Sequence, residues 1–253
     1  MTETRHVIMH YHIFKNAGTT MDVILKKNFG AQWGGVEGPA GTYRLNNAGL
    51  LNFIQENPQL RAISSHEARP PLPDAPGLCL HPLLFLRHPI DRIGSIYAYR
   101  RALPEISTRS TKVAKEADLA GYIAWCLANP GAETVLNFQT TFLSCTGLET
   151  SPLNKPEPQV ALQRLHELAF FGLVESFDES IRRLQESLLE AFGTLDLSHS
   201  VENRSRGRNA SLAERLGTIE AALGPGLYAE LLEKNELDLE LYAQAVKIFE
   251  GRG

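Results

Sequence analysis

Residues 7–29 constrain the fold of this chain most strongly. They open with an apolar run short enough for a buried strand, and apolar residues then recur at helical spacing as far as Gly30. Between these two patterns lies a small polar loop, Lys15-Asn16-Ala17-Gly18-Thr19-Thr20. A strand, a loop of small residues and a helix are the layout of a phosphate-binding cradle, because loop and helix N–H groups favour an anion there.

The residue types in this loop suit contact with an anion. Gly18 lets the backbone approach closely, Thr19 and Thr20 offer hydroxyl donors, and Lys15 adds a positive charge. The loop is not a Walker A sequence, because that motif places its lysine after the last glycine and follows it with Ser or Thr. The alternative interpretation is an ordinary strand-to-helix turn whose lysine is solvated.

Two further strands are predicted to end in residues that can carry chemistry. Residues 60–65 form one apolar run and precede His66, whose ordinary pKa near neutrality suits a general base. Residues 83–86 form another and precede Arg87, which can bind a phosphate through two parallel donors, with Ser95 two turns further along a predicted helix. Ligands of open α/β sheets bind outside the carboxyl ends of strands, so we expect these residues to share one site.

The remaining pattern predicts a single domain over residues 1–253. Residues 170–174 indicate a fourth strand, Ser176 with Glu179 predicts a capping box, and residues 100–116 lack a clean period and are predicted to be irregular. Alternation of strands and helices, with 43% hydrophobic residues, predicts an α/β fold. We expect a three-layer sandwich with a central parallel sheet and helices on both faces.

Composition excludes several classes of function. A net charge of −4 gives no basic footprint for nucleic acid, and no stretch has the length or apolarity of a membrane span. Three cysteines imply no disulfide framework, no signal-peptide pattern is present, and no Cys/His spacing is typical of a zinc site. The expectation is therefore a cytoplasmic protein without nucleic-acid or membrane partners; its oligomeric state cannot be read from the sequence.

Two motifs carry a resemblance to a known family. HIFKNAGTT resembles the H-x-P-K-[TN]-A-G-[TS]-[TS] loop of sulfotransferases that use PAPS (3′-phosphoadenosine 5′-phosphosulfate). FLRHPIDRIGSIYAYRR resembles their second signature, R-[DN]-P-x-x-R-x-x-S-x-[YFW]. Phe14 replaces a proline and His88 replaces an acidic or amide residue. Further similarity from about residue 7 to 249 points to the branch of carbohydrate 2-O-sulfotransferases and their bacterial relatives.

The resemblance implies a P-loop-type fold, PAPS as cofactor with PAP as its product, and no requirement for a metal. It implies a hydroxyl acceptor, first of all a carbohydrate, with a small molecule as the other possibility. Animal members of the branch carry a membrane anchor, so the missing anchor indicates a bacterial-type member. The implied catalytic residues are Lys15 and His66. The implied cofactor-binding residues are Lys15, Asn16, Ala17, Gly18, Thr19, Thr20, Arg87, Ser95, Arg206 and Arg208.

Two alternatives stay open at this point. A P-loop kinase or NTPase on the same fold would require Mg²⁺ and bind ATP, although no GK[ST] is present. A non-catalytic relative would bind PAP or another nucleotide without turnover. For Arg206 and Arg208, a solvated basic loop is the alternative to a phosphate contact.

Overall fold

The computed structural model describes residues 4–39, 45–131, 134–145, 156–198 and 210–251. Within these ranges five strands form one sheet in the order β2-β3-β1-β4-β5, and all neighbouring strands are parallel. The strands are β1 (Arg5–Tyr11), β2 (Trp33–Gly35), β3 (Ala62–Ser65), β4 (Leu78–Leu86) and β5 (Gly172–Leu173). The predicted parallel α/β sheet is confirmed.

Helices cover both faces of this sheet. Within the described ranges they are α1 (Gly18–Phe29), α2 (Asn47–Glu56), α3 (Pro89–Ala102), α4 (Arg109–Glu116), α5 (Leu119–Ala128), α6 (Phe138–Ser144), α7 (Pro158–Glu167), α8 (Phe177–Phe192), α9 (Leu212–Lys234) and α10 (Glu236–Gly251). None of these helices is long and apolar enough to cross a lipid bilayer.

Alternation along the central strand assigns side chains to the two faces. Val7 and Met9 of β1 pack in one core with residues of α2, α6, α7 and α10. Ile8 points the other way and packs with residues of α1 and α8. Successive side chains of a strand face opposite sides of a sheet, so a strand buried on both faces is apolar throughout. The result is the expected three-layer sandwich.

A third apolar cluster lies among helices beyond the sheet. Residues of α3, α5 and α9 form it, and Phe14 of the β1–α1 loop packs against it. The ring of Phe14 meets Tyr99 of α3 edge-on, with 5.5 Å between ring centroids. This cluster therefore holds α3 beside the loop that the sequence singled out.

The order of the strands creates a crevice at the carboxyl edge of the sheet. After β1 the chain builds β2 and β3 on one side, and then builds β4 and β5 on the other. Ligands of open α/β sheets bind where the strand order reverses in this way. β1, β3 and β4 end at Tyr11, Ser65 and Leu86, so the residues that follow them lie along this edge.

Two local predictions were wrong. Most of residues 100–116 is helical and only residues 103–108 are irregular, because α3 continues to Ala102 and α4 begins after Thr108, whose side chain accepts from the N–H of Thr111. The buried face of α4 is small or polar, so no apolar period marked it. Ser176 precedes α8 but its side chain caps nothing. The capping box of the described chain lies at Ser211 instead, before α9.

Candidate functional site

The loop between β1 and α1 has the backbone of an anion-binding concavity. Lys15 and Ala17 have positive φ angles of 66° and 63°, and Asn16 between them does not. Such an alternation of backbone hand turns successive N–H groups toward one side. Ala17 is the N-cap residue of α1, and no side chain caps this helix end. The first N–H groups of α1 are therefore available to a ligand.

Gly18 is required here by a neighbouring side chain. A Cβ atom built on Gly18 would lie 2.0 Å from Cδ2 of His12, so the imidazole of His12 packs directly on the glycine. His12 Nδ1 in turn lies 2.8 Å from a carboxylate oxygen of Asp22, which fixes the ring. The glycine was predicted to admit an anion, and the structure adds that it admits a histidine ring.

Asn16 anchors the floor of the loop to the sheet. Its buried amide Nδ2 donates to the carbonyl oxygen of Phe85 at 2.8 Å and to Oε1 of Gln139 at 2.7 Å. Gln139 also bonds both backbone groups of Arg87, accepting from its N–H at 3.0 Å and donating to its carbonyl oxygen at 2.9 Å. One glutamine of α6 thereby joins the β1–α1 loop to the end of β4.

Lys15 presents a positive charge that is not neutralised by an acidic side chain of the described residues. Its ammonium lies 4.5 Å from the centre of the Tyr99 ring, a cation–π contact. The guanidinium of Arg87 donates to the carbonyl oxygen of Lys15 at 3.0 Å. Burial, and secondly the charge of Arg87, lowers the pKa of Lys15. Two cations therefore lie at one edge of the sheet, where an anion would relieve their repulsion.

Arg87 is held by Asp91, one helical turn along α3. Its Nε donates to the Asp91 carboxylate at 2.8 Å, and its second terminal nitrogen lies 2.8 Å from the same oxygen. Nε and one N–H of Nη1 therefore donate hydrogen bonds, and the other guanidinium N–H groups make none to the described residues. Asp91 therefore fixes the orientation of the Arg87 guanidinium.

Asp91 also connects this site to α9. Its carboxylate accepts from Nε of Arg215 at 2.8 Å, in addition to the contacts with Arg87. Burial raises the pKa of Asp91, but the charges and hydrogen bonds of Arg87 and Arg215 outweigh burial and lower it overall. Arg215 was not a candidate, because only the tertiary structure brings residues 124 positions apart together.

The hydroxyl candidates lie in three different environments. Thr19 is exposed on the first turn of α1, whereas Thr20 is buried. Ser95 is buried on α3, one turn before Tyr99, and its hydroxyl makes no hydrogen bond to the described residues. Because Tyr99 contacts Lys15, Ser95 lies on the side of α3 that faces the loop.

His66 follows β3 and has one ring nitrogen fixed. Nδ1 lies 2.9 Å from the carbonyl oxygen of His12, and a carbonyl only accepts, so Nδ1 carries the proton. Nε2 then holds the lone pair, and no described residue bonds it. The carboxylate of Glu37 accepts from the backbone N–H of His66 at 3.0 Å. Burial of part of the ring, and secondly the proximity of His12, lowers the pKa of His66.

Asp22 joins two histidines beneath this ring. Its two carboxylate oxygens lie 2.9 Å from Nδ1 of His10 and 2.8 Å from Nδ1 of His12. The ring of His12 stacks between the others, with centroids 5.3 Å from His10 and 4.0 Å from His66. Burial raises the pKa of Asp22, but its hydrogen bonds to the two histidines outweigh burial and lower it overall.

The structure thus brings most of the predicted residues to one edge of the sheet. A continuous set of contacts runs from His66 through His12 to Gly18, and Arg87 contacts Lys15. Arg206 and Arg208 lie outside the described residues. Sequence reasoning missed Asp22 and Asp91 as supports; the spacing of Asp91 four residues after Arg87 on a predicted helix was the available signal.

Comparison with known proteins found a similar archaeal protein. No protein-family model matches the chain. An uncharacterized protein of Archaeoglobus fulgidus is 34% identical over 249 residues, covering 97% of this chain and 98% of the relative. At that identity and coverage, the chain belongs to the same family as this Archaeoglobus fulgidus protein.

Proposed function

We propose that this protein is a PAPS-dependent sulfotransferase that transfers a sulfuryl group to a hydroxyl acceptor. The observation that carries the proposal is the joint geometry of His66, Lys15 and Arg87. A histidine whose Nε2 lone pair is not bonded by a described residue lies at the same sheet edge as the ammonium of Lys15 and the guanidinium of Arg87. A general base beside an anion-binding loop can support the transfer of a negatively charged group to a hydroxyl.

The residues present fit a ligand with two anionic ends. PAPS supplies an activated sulfuryl group on its 5′-phosphate and a separate 3′-phosphate. The uncapped start of α1 and the ammonium of Lys15 suit the first end. The N–H groups of Arg87 that make no hydrogen bond to the described residues, and the hydroxyl of Ser95, suit the second. Substitution Arg87→Ala is therefore expected to weaken PAP binding by about 10- to 100-fold.

In the proposed reaction His66 acts as the base. Its Nε2 accepts the proton of the acceptor hydroxyl while that oxygen forms its bond to sulfur and the bond from sulfur to the phosphate oxygen breaks. Lys15 stabilises the charge that develops on the departing phosphate oxygen. Because the pKa of His66 is lowered, its ring is neutral and able to accept a proton at pH 7. The carbonyl of His12 and the backbone contact of Glu37 orient this ring.

The acceptor class and the location are also part of the proposal. A carbohydrate hydroxyl is the first acceptor to test, because of the resemblance to carbohydrate 2-O-sulfotransferases. A cytoplasmic location is supported by Cys79, Cys126 and Cys145, none of which forms a disulfide in the described part of the chain. Cell fractionation that found the protein in an oxidising compartment would contradict that location.

Calorimetric titration with PAP and, separately, with ATP is the first test, each with and without Mg²⁺. We expect PAP to bind without Mg²⁺ and ATP to give no comparable response. ATP binding that depends on Mg²⁺, with no response to PAP, would favour the kinase or NTPase alternative. PAP binding with no sulfuryl transfer to any carbohydrate or small-molecule acceptor in a panel would favour a non-catalytic relative.

Lys15→Ala tests the proposed chemistry. We expect transfer from labelled PAPS to fall by at least about 100-fold, the size typical for loss of a group that stabilises developing charge. Lys112→Ala is the matched control, because Lys112 is an exposed lysine of α4 and the proposal gives it no role. Transfer by Lys15→Ala at the wild-type rate would refute the mechanism.

A further inference from the structure

A second group of ligand-type side chains lies at the opposite end of the sheet. His6 is on β1, and Cys79 and His81 are on β4. In the parallel register His6 pairs with Cys79, and His81 follows two residues later, so all three side chains share one face. Nδ1 of His6 lies 2.9 Å from Nε2 of His81. This His6–Cys79–His81 cluster lies about 17 Å, measured along β1, from the carboxyl end of that strand.

The three ligand atoms lie close together. The two imidazole nitrogens and Sγ of Cys79 all lie within 4.8 Å of one another, and all three residues are half-buried. The ring of Phe192, at the end of α8, meets His81 edge-on at 5.2 Å and His6 at 6.4 Å between centroids. An aromatic ring thus covers one side of the cluster, and among the described residues no carboxylate belongs to it.

We propose that Nδ1 of His6, Sγ of Cys79 and Nε2 of His81 bind a zinc-type divalent cation. One thiolate and two imidazoles are a ligand set that zinc prefers over the oxygen ligands favoured by magnesium or calcium. The protein supplies three ligands of a tetrahedron, and the fourth position is left to water. This site is separate from the proposed transferase site and does not depend on that function.

The strand geometry suits this coordination with a small adjustment. Zinc–nitrogen bonds of about 2.0–2.1 Å at a tetrahedral angle separate two ligand nitrogens by about 3.3 Å. The present separation of 2.9 Å must therefore open by a few tenths of an ångström, which rotation of two imidazoles on fixed strands provides. Bound there, the cation links β1 to β4 at their amino-terminal ends.

Two other arrangements compete with this proposal. In the first, the 2.9 Å contact is only an N–H···N hydrogen bond between neutral imidazoles, and no metal binds. In the second, a cation binds at His10, His12 and Asp22, whose ligand atoms also lie within 4.8 Å of one another. That second group contains no sulfur, so a signal specific to thiolate coordination distinguishes the two sites.

Titration of the full chain with Co²⁺ tests the proposal, because a cobalt-bound thiolate gives a charge-transfer absorption in the near ultraviolet. We expect one equivalent of Co²⁺ to produce this absorption and one equivalent of Zn²⁺ to remove it. Cys79→Ser should abolish it, and His81→Gln should weaken Co²⁺ binding at least about tenfold, since even indirect supports of metal ligands contribute that much. Circular dichroism of each variant without metal verifies its fold.

The matched control is Asp22→Asn, which alters the competing group and should leave the thiolate absorption unchanged. Wild-type protein without the absorption would overturn the proposal in favour of a hydrogen-bonded histidine pair. An absorption that survives in Cys79→Ser, or that is lost in Asp22→Asn while Cys79 is intact, would overturn it in favour of a different site.

Discussion

At the scale of single residues, the candidate site depends on close contacts between small and aromatic side chains. The ring of His12 occupies the space over Gly18, and it stacks against His66 at a centroid distance of 4.0 Å. The position of the proposed base is therefore coupled to the glycine of the anion loop. We therefore expect one added methyl group at Gly18 to disturb both the anion loop and the proposed base.

Gly18→Ala is expected to disrupt the loop. Its new Cβ would lie 2.0 Å from the His12 ring, which Asp22 holds in place, and such overpacking costs about 1–3 kcal/mol. We expect a lower melting temperature and at least tenfold weaker PAP binding. Gly217→Ala is the control, since a Cβ there has no neighbour within 4 Å and alanine favours a helix. Wild-type stability and PAP affinity in Gly18→Ala would contradict the packing argument.

The lowered pKa of His66 gives a second prediction at this scale. A base is active when deprotonated, so the acidic limb of the profile of kcat/KM against pH should have its midpoint below the ordinary histidine value of about 6.5. The profile of sulfuryl transfer between pH 5 and 8 measures this midpoint. His66→Ala should remove the activity, whereas His166→Ala, at an exposed position, should keep the wild-type profile. A midpoint above 6.5 would argue against His66 as the base.

At the scale of elements, short helices and caps complete the site. α6 carries Gln139, which bonds Asn16 and Arg87, and its own first N–H groups are capped from another helix. The buried carboxylate of Asp238 in α10 accepts from the N–H groups of Gln139 and Thr140 at 3.0 and 2.7 Å. α9 similarly contributes Arg215 to the carboxylate of Asp91. Helices from the end of the chain thus orient residues near its beginning.

The capping box at the N-terminus of α9 can be tested by mutation. Ser211 accepts from the N–H of Glu214 at 3.2 Å, and the Glu214 carboxylate accepts from the N–H of Ser211 at 2.6 Å. Removing a serine cap costs about 1 kcal/mol, which in a chain of this size lowers the melting temperature by about 2–4 °C. Ser211→Ala should show that shift, whereas Ser176→Ala should not, because Ser176 makes no capping bond. Equal shifts in the two variants would contradict the assignment of the cap.

At the scale of the whole molecule, Asp22 couples the stability of the fold to pH. Its net pKa is lowered in the folded protein, mainly because His10 and His12 bond its carboxylate against the opposing effect of burial. A group whose pKa is depressed on folding stabilises the protein above its unfolded pKa, here about 3.9, and that stabilisation is lost as pH falls below this value.

Asp22→Asn isolates this contribution. Wild type should be more stable than the variant at pH 6, and the difference in unfolding free energy should shrink as pH falls below about 4. Urea denaturation at several pH values measures both curves. Asp178→Asn is the comparison, because Asp178 is an acidic residue in the first turn of α8, a different helix from the one that carries Asp22. A difference that stayed constant down to pH 3 would show that Asp22 is not the coupled group.

Local sequence patterns were sufficient to predict much of the fold. The apolar runs before Lys15, His66 and Arg87 are β1, β3 and β4, because a strand buried between two layers must be apolar on both faces. The three-residue strand β2 and the polar helix α4 were missed, since neither has an apolar period. The periodicity of apolar residues reflects which side chains are buried, so an element that buries few apolar side chains lacks this pattern.

The sequence by itself determined which residues end the central strands, and hence that Lys15, His66 and Arg87 lie at one edge of a parallel sheet. Only the tertiary structure decided how they are held. The tautomer of His66 depends on a carbonyl 54 residues away, and Asp91 holds Arg87 together with Arg215, 124 residues away. The reason is physical: strand ends follow from local burial, whereas hydrogen-bond partners are set by which surfaces meet when the layers pack.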